Sequence, residues 1–424
     1  MVMASMEAAA RFPLAVVARI VRLALIPGMG VLLAGCAQAS QATDTPAKAD
    51  ERAGAGLFEH QVLARAGEEG VHTWRIPALA VATDGSLVAA WDARNDGPGD
   101  LPGNIDVVVR RSRDQGRSWS PIRRVADLDG GYGVGDPSLL VDRVTGTVFL
   151  FFAQGAPGVG FFHSSADRDP DSRTAQHPWL LWSDDHGASW QEPRNLIAQI
   201  KPEGAHGLFA TSGHGIQLSP HSATPGRLLQ PYVWRDGKRQ LHAANAISDD
   251  HGRTWRMGPS IGTGLDENKA VELGDGRVMQ NIRAAGKGVR HRLVAISEDG
   301  GEHYGPARIE PQLPDPRNNA DIIRVHPDAL PGTPEAAMLL FVNTAHGRKR
   351  QDLGLRLSCD DGRSWSAPRL LHAGPAMYAA LARLDDGSFG VLYEGGNAQT
   401  LEFARFDLDW LGQRCPPAGA APVQ

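Results

Sequence analysis

Residues 112–119 read Ser-Arg-Asp-Gln-Gly-Arg-Ser-Trp, and they follow the β-like run Ile-Asp-Val-Val-Val-Arg at 105–110. The aspartate can accept hydrogen bonds from nearby backbone N–H groups, and the glycine allows the positive φ that a tight turn requires. The second serine adds a local hydrogen bond, and the tryptophan can pack into the sheet beside it. This stretch therefore predicts the turn of a β-hairpin.

The same pattern recurs along the chain, and its spacing indicates the architecture. Successive copies start 71, 65, 49 and 61 residues apart, and the fourth copy has lost its tryptophan. A repeat of this length has room for a four-stranded sheet, and radial repetition of such sheets builds a β-propeller. The later copies begin at Ser183, Ser248, Ser297 and Ser358.

The length of the repeat region sets the number of sheets. At about 60 residues per blade, the region between residues 57 and 411 holds six blades, so we predict an all-β fold, a six-bladed β-propeller. To close the ring, we expect the strand-like runs at 401–406 and near 57–62 to share one blade. The predicted propeller spans 57–412, and residues 413–424 form a tail.

The composition fits a folded chain and excludes several classes of protein. The chain has 424 residues, of which 42% are hydrophobic and 21% charged, and its net charge is −5. Nucleic-acid binding would need a concentrated basic surface. The histidines lack the spacing of a zinc site, and the glycine-rich stretches lack the strand–loop–helix order of a phosphate loop. We expect no metal, no cofactor and no nucleic-acid partner, and we expect a monomer.

The N-terminus has the layout of a targeting segment. Residues 1–35 place three arginines before a short apolar run, as in a signal peptide. A transmembrane helix is the alternative, but a proline and two glycines interrupt the run, which is shorter than the roughly 20 residues that a span needs. The run ends Leu-Ala-Gly-Cys at 33–36, which resembles the lipobox of bacterial lipoproteins and implies acylation of Cys36. We expect a flexible tether over 36–56 and an exported protein of the cell envelope, lipid-anchored or secreted, whose only membrane contact is its lipid.

Two motifs resemble those of the sialidases, glycosidases that release sialic acid. The repeats look like the Asp-boxes of that family, although other propellers carry such boxes as well. Residues 74–77, Trp-Arg-Ile-Pro, resemble the Phe/Tyr-Arg-Ile-Pro motif of sialidases and precede the first repeat. The order of the landmarks is close to that of secreted actinobacterial sialidases. The resemblance implies a retaining exo-α-sialidase that hydrolyses terminal α-linked sialic acid from glycoproteins, oligosaccharides and glycolipids, gangliosides included.

Sialic acid carries a carboxylate at its anomeric carbon, and the planar, permanently charged guanidinium group suits a carboxylate better than an ammonium does. The resemblance implies that Arg75, Arg283 and Arg350 bind this carboxylate. Arg348 lies close to Arg350 in the sequence and is its alternative. The resemblance also implies that Glu394 orients Arg75, since a buried arginine needs an acidic partner.

Tyr378 matches the position of the sialidase nucleophile, after the fifth repeat, and the chain has only five tyrosines. A neutral phenol suits an anionic anomeric centre, because a carboxylate nucleophile would be repelled by the substrate carboxylate. A base must draw off the phenol proton. The resemblance implies that Glu267 is this base, and Glu272 is the alternative.

Asp100 lies in a loop rich in Gly and Pro, at 97–106, where sialidases place a catalytic aspartate. Its implied task is to protonate the departing glycosidic oxygen and then to activate water. The resemblance also implies that Arg94 and Asp136 contact sugar hydroxyls. Three further acids compete for the role of Asp100: Asp92, Asp96 and Asp106.

Several alternatives stay open at the level of the sequence. Cys359 and Cys415 are a candidate disulfide in an exported protein, and two free thiols are the alternative. His214 stands where the family pattern suggests an acidic residue, which would alter the sugar pocket. The same residues would also serve a trans-sialidase, including an intramolecular one. A non-catalytic glycan-binding propeller is less favoured, because a binder has no need of Tyr378 paired with Glu267.

Overall fold

Strands follow one another along almost the whole chain, with little helix between them. The computed structural model describes residues 56–128, 131–286 and 288–416. The predicted signal peptide, Cys36 and nearly all of the predicted tether lie outside these residues. No helix in the described part of the chain is long and apolar enough to cross a membrane.

The described residues form the following elements. The first nine strands are β1 (Phe58–Arg65), β2 (Thr73–Val81), β3 (Leu87–Arg94), β4 (Ile105–Ser112), β5 (Arg123–Ala126), β6 (Gly133–Val141), β7 (Val148–Gly155), β8 (His177–Ser183) and β9 (Arg194–Asn195). The next seven are β10 (Ala205–Ala210), β11 (Gly213–His214), β12 (Ile216–Gln217), β13 (Leu228–Asp236), β14 (Leu241–Ser248), β15 (Arg256–Met257) and β16 (Gly262–Thr263). The last ten are β17 (Leu265–Glu272), β18 (Val278–Ala284), β19 (His291–Ser297), β20 (Arg308–Pro314), β21 (Asp321–Arg324), β22 (Leu339–Thr344), β23 (Gln351–Ser358), β24 (Arg369–Arg383), β25 (Phe389–Gly395) and β26 (Thr400–Phe406). The helices are α1 (Ile197–Ile200) and α2 (Leu408–Leu411), and a short 3-10 turn covers Glu68–Gly70.

Neighbouring strands of the chain pair as antiparallel meanders. The sheets, in order of pairing, are β2-β3-β4-β5, β11-β6-β7-β8-β9, β10-β13-β14-β15 with β12 and β16 added, β17-β18-β19-β20, and β1-β26-β25-β24-β23-β22-β21. Within these described strands only β11 and β6 pair in parallel. Meander sheets that succeed one another along the chain make an all-β, propeller-like fold.

The two ends of the described chain meet in one sheet. Strand β1 pairs with β26 in antiparallel register, with Phe58 opposite Phe406 and Arg65 opposite Thr400. This pairing confirms the prediction that the runs at 57–62 and 401–406 lie together. Through this pairing, the first and the last strand of the described chain are hydrogen-bonded neighbours.

Strand β24 is unusually long because its two halves have different partners. Residues up to Pro375 pair with β23, and residues from Ala376 onward pair with β25. The seven-stranded sheet is therefore two meanders joined through one strand. The join lies within three residues of Tyr378.

Each repeat forms the turn that the sequence predicts. In the second copy, Ser183 Oγ donates to Asp185 Oδ1 and accepts the N–H of Gly187, both at 2.8 Å. The same carboxylate accepts the N–H and the hydroxyl of Ser189, at 2.7 and 2.6 Å. The hydroxyl bond from Ser189 lowers the pKa of Asp185 to about 2. These bonds stabilise a turn that the chain can form locally, which explains why the motif is so easily recognised.

The glycine of each repeat faces the preceding sheet, where a side chain would have no room. A Cβ atom at any of these positions would meet an apolar side chain of that sheet. The tryptophan of the first repeat packs edge-on against Phe403, with ring centroids 5.2 Å apart. The repeats thus join each sheet to the one before it, and the first repeat joins β26. The facing pairs are Gly116 with Phe403, Gly187 with Val88, Gly252 with Phe149, Gly301 with Leu229 and Gly362 with Met279.

A disulfide fastens the C-terminal segment to the sheet. Cys359 and Cys415 are bonded, with Cα atoms 5.5 Å apart. Gln413 Oε1 accepts the N–H of Leu357 at 3.1 Å and the hydroxyl of Ser366 at 2.6 Å. The first residues of the predicted tail, 413–415, are therefore attached to the sheet.

Candidate active site

Four strands from four sheets carry Arg75, Asp136, Glu267 and Tyr378, and each strand is irregular at or beside that residue. A register shift interrupts the pairing of each strand at or beside a predicted site residue. Such bulges turn a side chain out of the regular alternation and are frequent beside active sites. The shifts lie between Arg75 and Ala78 in β2, Gly135 and Ser138 in β6, Leu265 and Asn268 in β17, and Ala376 and Ala379 in β24.

Tyr378, Glu267 and Arg283 form the centre of the site. The Tyr378 hydroxyl donates to Glu267 Oε2 at 2.6 Å. Arg283 Nη1 donates to the same carboxylate oxygen at 2.5 Å and to the Tyr378 hydroxyl at 2.9 Å. The structure therefore brings the predicted nucleophile, its predicted base and one predicted arginine into direct contact.

The state of the Tyr378 phenol follows from its surroundings. Burial and the charge of Glu267 raise the pKa of Tyr378 above its ordinary value, while Arg283 and Arg350 act in the opposite direction. The phenol is therefore neutral at neutral pH and holds its proton toward Glu267. An oxygen in this state can attack only as its proton passes to the carboxylate.

Arg75 is held beside Tyr378 by the buried carboxylate of Glu394. Its Nε atom lies 3.3 Å from Glu394 Oε1, and Nη2 donates to Oε2 at 3.4 Å. The guanidinium carbon lies 5.6 Å from the centroid of the Tyr378 ring. The predicted pairing of Glu394 with Arg75 is thus present. It engages Nε and Nη2 of the guanidinium group, and Nη1 faces Asp100 across the site.

Arg350 approaches the same ring from a different sheet. Its guanidinium carbon lies 5.5 Å from the Tyr378 centroid, and Nη2 donates to the Arg317 carbonyl oxygen at 2.9 Å. No acidic side chain of the described residues lies within ion-pair distance of Arg350, so its charge is available to an anion. Arg348, the alternative, is exposed, and its N–H donates to His346 at 3.0 Å.

Asp100 is the loop acid that faces these arginines. Its carboxylate lies 2.7 Å from Arg94 Nη1 and 3.9 Å from Arg75 Nη1, yet its side chain is 79% exposed. The competing acids are engaged elsewhere: Asp96 accepts from Asn104 at 3.1 Å, Asp106 pairs with Arg124 at 2.9 Å, and Asp92 is buried against Arg94 at 3.0 Å. Of the four acids, Asp100 combines solvent access with contact to the arginines.

Asp136 shares this acidic region. Its N–H donates to Asp92 Oδ1 at 2.9 Å, and its backbone φ is 58°. Burial and the charges of Asp92 and Asp100 raise the pKa of Asp136 well above its ordinary value, and Arg94 opposes this shift only in part. A raised pKa favours the protonated form of the carboxyl group, and this form can donate as well as accept a hydrogen bond, which suits contact with a sugar hydroxyl.

Sequence reasoning missed residues that support the site from behind. Asp266 lies 3.3 Å from Arg283 Nε, on the side away from Tyr378. Asn318 donates to the Met377 carbonyl oxygen at 2.7 Å and so fixes the residue before the tyrosine. In the sequence Asp92 is only a rival of Asp100, whereas in the structure it orients Arg94, two residues later in β3. The sequence signal for Asp266 and Asn318 is weak, because their partners lie on other strands.

A cavity of about 670 Å³ lies at the other end of the same strands. Glu272 lines this cavity, and its carboxylate accepts the N–H and hydroxyl of Ser219 at 2.8 and 2.6 Å. His214 lines it too, with Nε2 3.2 Å from Asp321 Oδ1. The alternative base Glu272 therefore lies away from Tyr378, and His214 contributes to this cavity rather than to the predicted sugar pocket. The strand ends that line it are 79–81, 139–141, 271–272 and 381–383.

The described residues contain no group of three or more His, Cys, Asp or Glu side chains arranged to hold a metal ion. The charged groups of the site are those already named. Six carboxyl groups gather around four guanidinium groups. The acidic residues are Asp92, Asp100, Asp136, Asp266, Glu267 and Glu394, and the arginines are Arg75, Arg94, Arg283 and Arg350.

We expect Asp136→Asn to stabilise the fold at pH 8 and to lose this advantage near pH 4. A carboxyl whose pKa is raised on folding costs stability above its unfolded pKa of about 3.9, and the cost disappears once both states are protonated. The measurement is the melting temperature of variant and parent at both pH values. A gap that is the same at pH 8 and pH 4 would contradict the raised pKa.

The comparisons with known proteins agree with this geometry. A family model described as a BNR repeat-like domain matches residues 85–391. A sialidase from Micromonospora viridifaciens is 43% identical over 370 residues, which cover 86% of this chain and 56% of the relative. A sialidase from Bacteroides fragilis is 30% identical over 360 residues, which cover 80% of this chain and 64% of the relative. The chain thus spans less than two thirds of the length of either protein.

Solved structures give the same result. A Hadza microbial sialidase has a TM-score of 0.73 and 30% identity, with 82% of this chain and 68% of that chain covered. The intramolecular trans-sialidase from Ruminococcus gnavus has a TM-score of 0.71 at 18% identity, with coverage of 83% and 98%, a likeness that shows the fold alone. From the repeat model and the relatives of 30% identity and above, we conclude that this chain belongs to the sialidase family with BNR repeats.

Proposed function

We propose that this chain is a retaining exo-α-sialidase that hydrolyses terminal α-linked sialic acid from glycans. The single observation that carries the proposal is the contact of the Tyr378 hydroxyl with Glu267 beneath three arginines from three different sheets. A site that only bound an acidic sugar would need the arginines. It would have no need of a buried phenol whose proton already points at a carboxylate.

In the first step, the Tyr378 oxygen forms a bond to the anomeric carbon as its proton passes to Glu267 Oε2. The glycosidic C–O bond breaks, and Asp100 gives a proton to the departing oxygen. In the second step, water attacks the anomeric carbon and gives a proton to Asp100. The Tyr378 oxygen leaves and recovers its proton from Glu267. Two displacements at one carbon retain its configuration, and the residues return to their starting states.

The three guanidinium groups act on the carboxylate of the sugar. Arg75, Arg283 and Arg350 approach the Tyr378 ring or hydroxyl, so an anion bound among them lies beside the attacking oxygen. Their charge also stabilises the phenolate character that develops as the proton leaves. We assign contact with the sugar hydroxyls to Arg94 and Asp136, because both lie on the side of Asp100.

We also propose six blades. The five repeat glycines each face the preceding sheet, the first of them facing β26, and β24 divides the seven-stranded sheet into two meanders. Counting those meanders separately makes six groups of strands around one ring. Export with acylation at Cys36, a position in the cell envelope and a monomeric state are proposed from the sequence alone.

Hydrolysis is preferred to transfer because the relatives of 30% identity and above are named sialidases. Proton NMR of the first product from a sialyllactose should show the α-anomer of free sialic acid, since a double displacement retains configuration. A new sialoside would indicate a trans-sialidase, and an anhydro sugar would indicate intramolecular transfer. A β-anomer as the first product would exclude the proposed covalent intermediate.

We expect Tyr378→Phe and Glu267→Gln each to lower kcat by about 10²–10⁴-fold on an aryl sialoside, because one lacks the nucleophile and the other its base. The matched controls are Tyr304→Phe, which removes a hydroxyl in the fourth repeat, and Glu272→Gln, which changes the other glutamate of β17. Both controls should turn over substrate as the parent does. If Tyr378→Phe kept parental turnover on the aryl sialoside and Asp100→Ala kept it on sialyllactose, the assignment of the site would be wrong.

We expect Arg350→Ala to raise KM by about 10–100-fold, since a charge-assisted hydrogen bond contributes about 1.5–3 kcal/mol. Arg348→Ala should leave KM unchanged, because that side chain is exposed. Steady-state kinetics of the two variants decides between the neighbouring arginines. The opposite result would move the third arginine of the triad to Arg348.

A further inference from the structure

The loop that carries Asp100 is held from two sides. We define the acid loop as residues 95–104. On one side, Arg94 Nη1 donates to the Pro98 carbonyl oxygen at 2.7 Å and contacts the Asp100 carboxylate at the same distance. Within the loop, the Gly103 N–H donates to the Asp100 carbonyl oxygen at 3.0 Å. These bonds fix the shape of the loop and attach its first half to Arg94 at the end of β3.

The other side of the loop rests on glycines. A Cβ atom at Gly160 would overlap the Leu101 carbonyl oxygen and lie 2.9 Å from Pro102 N. A Cβ atom at Gly133 would overlap the Gly103 carbonyl oxygen and lie 2.8 Å from Leu101 Cδ2. The atoms that would be displaced are mostly backbone atoms of the acid loop, which cannot turn aside as the end of a flexible side chain can.

Both glycines are buried, and neither needs glycine for its backbone conformation. Neither Gly133 nor Gly160 is among the residues with positive φ. The usual reason for glycine in a turn is therefore absent here. What these positions share is the close approach of a second segment of backbone, the acid loop, to their Cα atoms.

Leu101 fits between these glycines. Its Cβ atom would lie 3.6 Å from a Cβ atom at Gly155, the last residue of β7, and its Cδ2 atom faces Gly133 at the start of β6. Leu101, the residue next to Asp100, thus packs between the ends of the paired strands β6 and β7. Any residue larger than glycine at Gly133 or Gly160 must displace Leu101 or the loop backbone beside it.

We propose that Gly133 and Gly160 are positioning residues that set the height of the acid loop, so that Asp100 can reach the departing oxygen. This inference rests on the proposed acid role of Asp100. A displacement of about 1 Å is enough to cost about 10²-fold when a reacting group must be placed within hydrogen-bond distance. The glycines touch neither substrate nor the reacting atoms, and they act through the loop.

The test is Gly160→Ala, with kcat/KM measured on two substrates. Sialyllactose has an alkoxide leaving group that needs a proton, whereas an aryl sialoside has a leaving group that needs little help. We expect kcat/KM to fall by about 10²-fold on sialyllactose and by less than about 5-fold on the aryl sialoside. A general loss of packing would lower both by the same factor, so the ratio reports on the acid alone.

The matched control is Gly97→Ala, in the same loop, where an added Cβ atom would have no neighbour within 4 Å. It should keep the parental ratio between the two substrates. Asp100→Asn is measured beside it. If Asp100→Asn shows no preference for the activated substrate, the acid role fails, whatever the glycine variant does. If Asp100→Asn discriminates and Gly160→Ala does not, or lowers both rates equally, the positioning role alone is overturned.

Should Gly160→Ala fail to fold, Leu101→Ala tests the same contact between the acid loop and the glycines without adding an atom. It removes the side chain that wedges between the strand ends and so frees the loop to move. We expect the same selective loss on sialyllactose, with a melting temperature close to that of the parent. A parental ratio of the two kcat/KM values in Leu101→Ala would overturn the proposal.

Discussion

The buried carboxylate of Glu394 joins the two strands on which the whole site depends. It pairs with Arg75, accepts the N–H of Ile76 at 2.7 Å and accepts the N–H of Tyr378 at 3.4 Å. A buried carboxylate costs several kcal/mol unless its lone pairs are satisfied, and here a guanidinium group and two backbone N–H groups satisfy them. The side chain of Glu394 is fully buried. One charge thus fixes the position of an arginine on β2 and the backbone of the tyrosine on β24.

The same contact explains an unusual backbone. Ile76 has a φ of 62°, a conformation that a β-branched residue seldom adopts. Such a conformation costs about 1–3 kcal/mol and persists only where the surroundings determine it. The bond from the Ile76 N–H to Glu394 is one such determinant. The irregular strand turns Arg75 toward Tyr378. Comparable register shifts in β6, β17 and β24 lie at Asp136, Glu267 and Tyr378.

The parts that the sequence predicts well are local. The repeat turns depend on residues within four positions of one another, so the turn formed by Ser183, Asp185 and Gly187 is predictable from the sequence pattern alone. Pairing of the two chain ends follows from the need to close a ring. The repeat turns need no knowledge of which strands become neighbours in space, whereas the pairing of the chain ends needs only the inference that the ring closes.

The parts that the sequence does not predict are those that depend on bulges and on which side chains meet across strands. Nothing near Asp266 in the sequence indicates that it lies behind Arg283 on the paired strand, and the closeness of Asp92 to Arg94 in β3 does not by itself show which acid Arg94 binds. The choice of Arg350 over Arg348, and of Glu267 over Glu272, is visible only once the strands are in register. In β17 the two glutamates lie at opposite ends of one strand, and only the register shift near Asn268 shows which end faces Tyr378.

The pairing of β1 with β26 has a consequence for how the protein is made. The side chain of His60 meets that of Glu402, 342 positions later in the chain, so β1 lacks its partner strand until β26 has been synthesised. Contacts of such long range slow folding and leave edges exposed in the meantime. A nascent chain must therefore carry an unpaired β1 edge until β26 has emerged, and the sheet that joins the two strands can form only after the strands between them have been made.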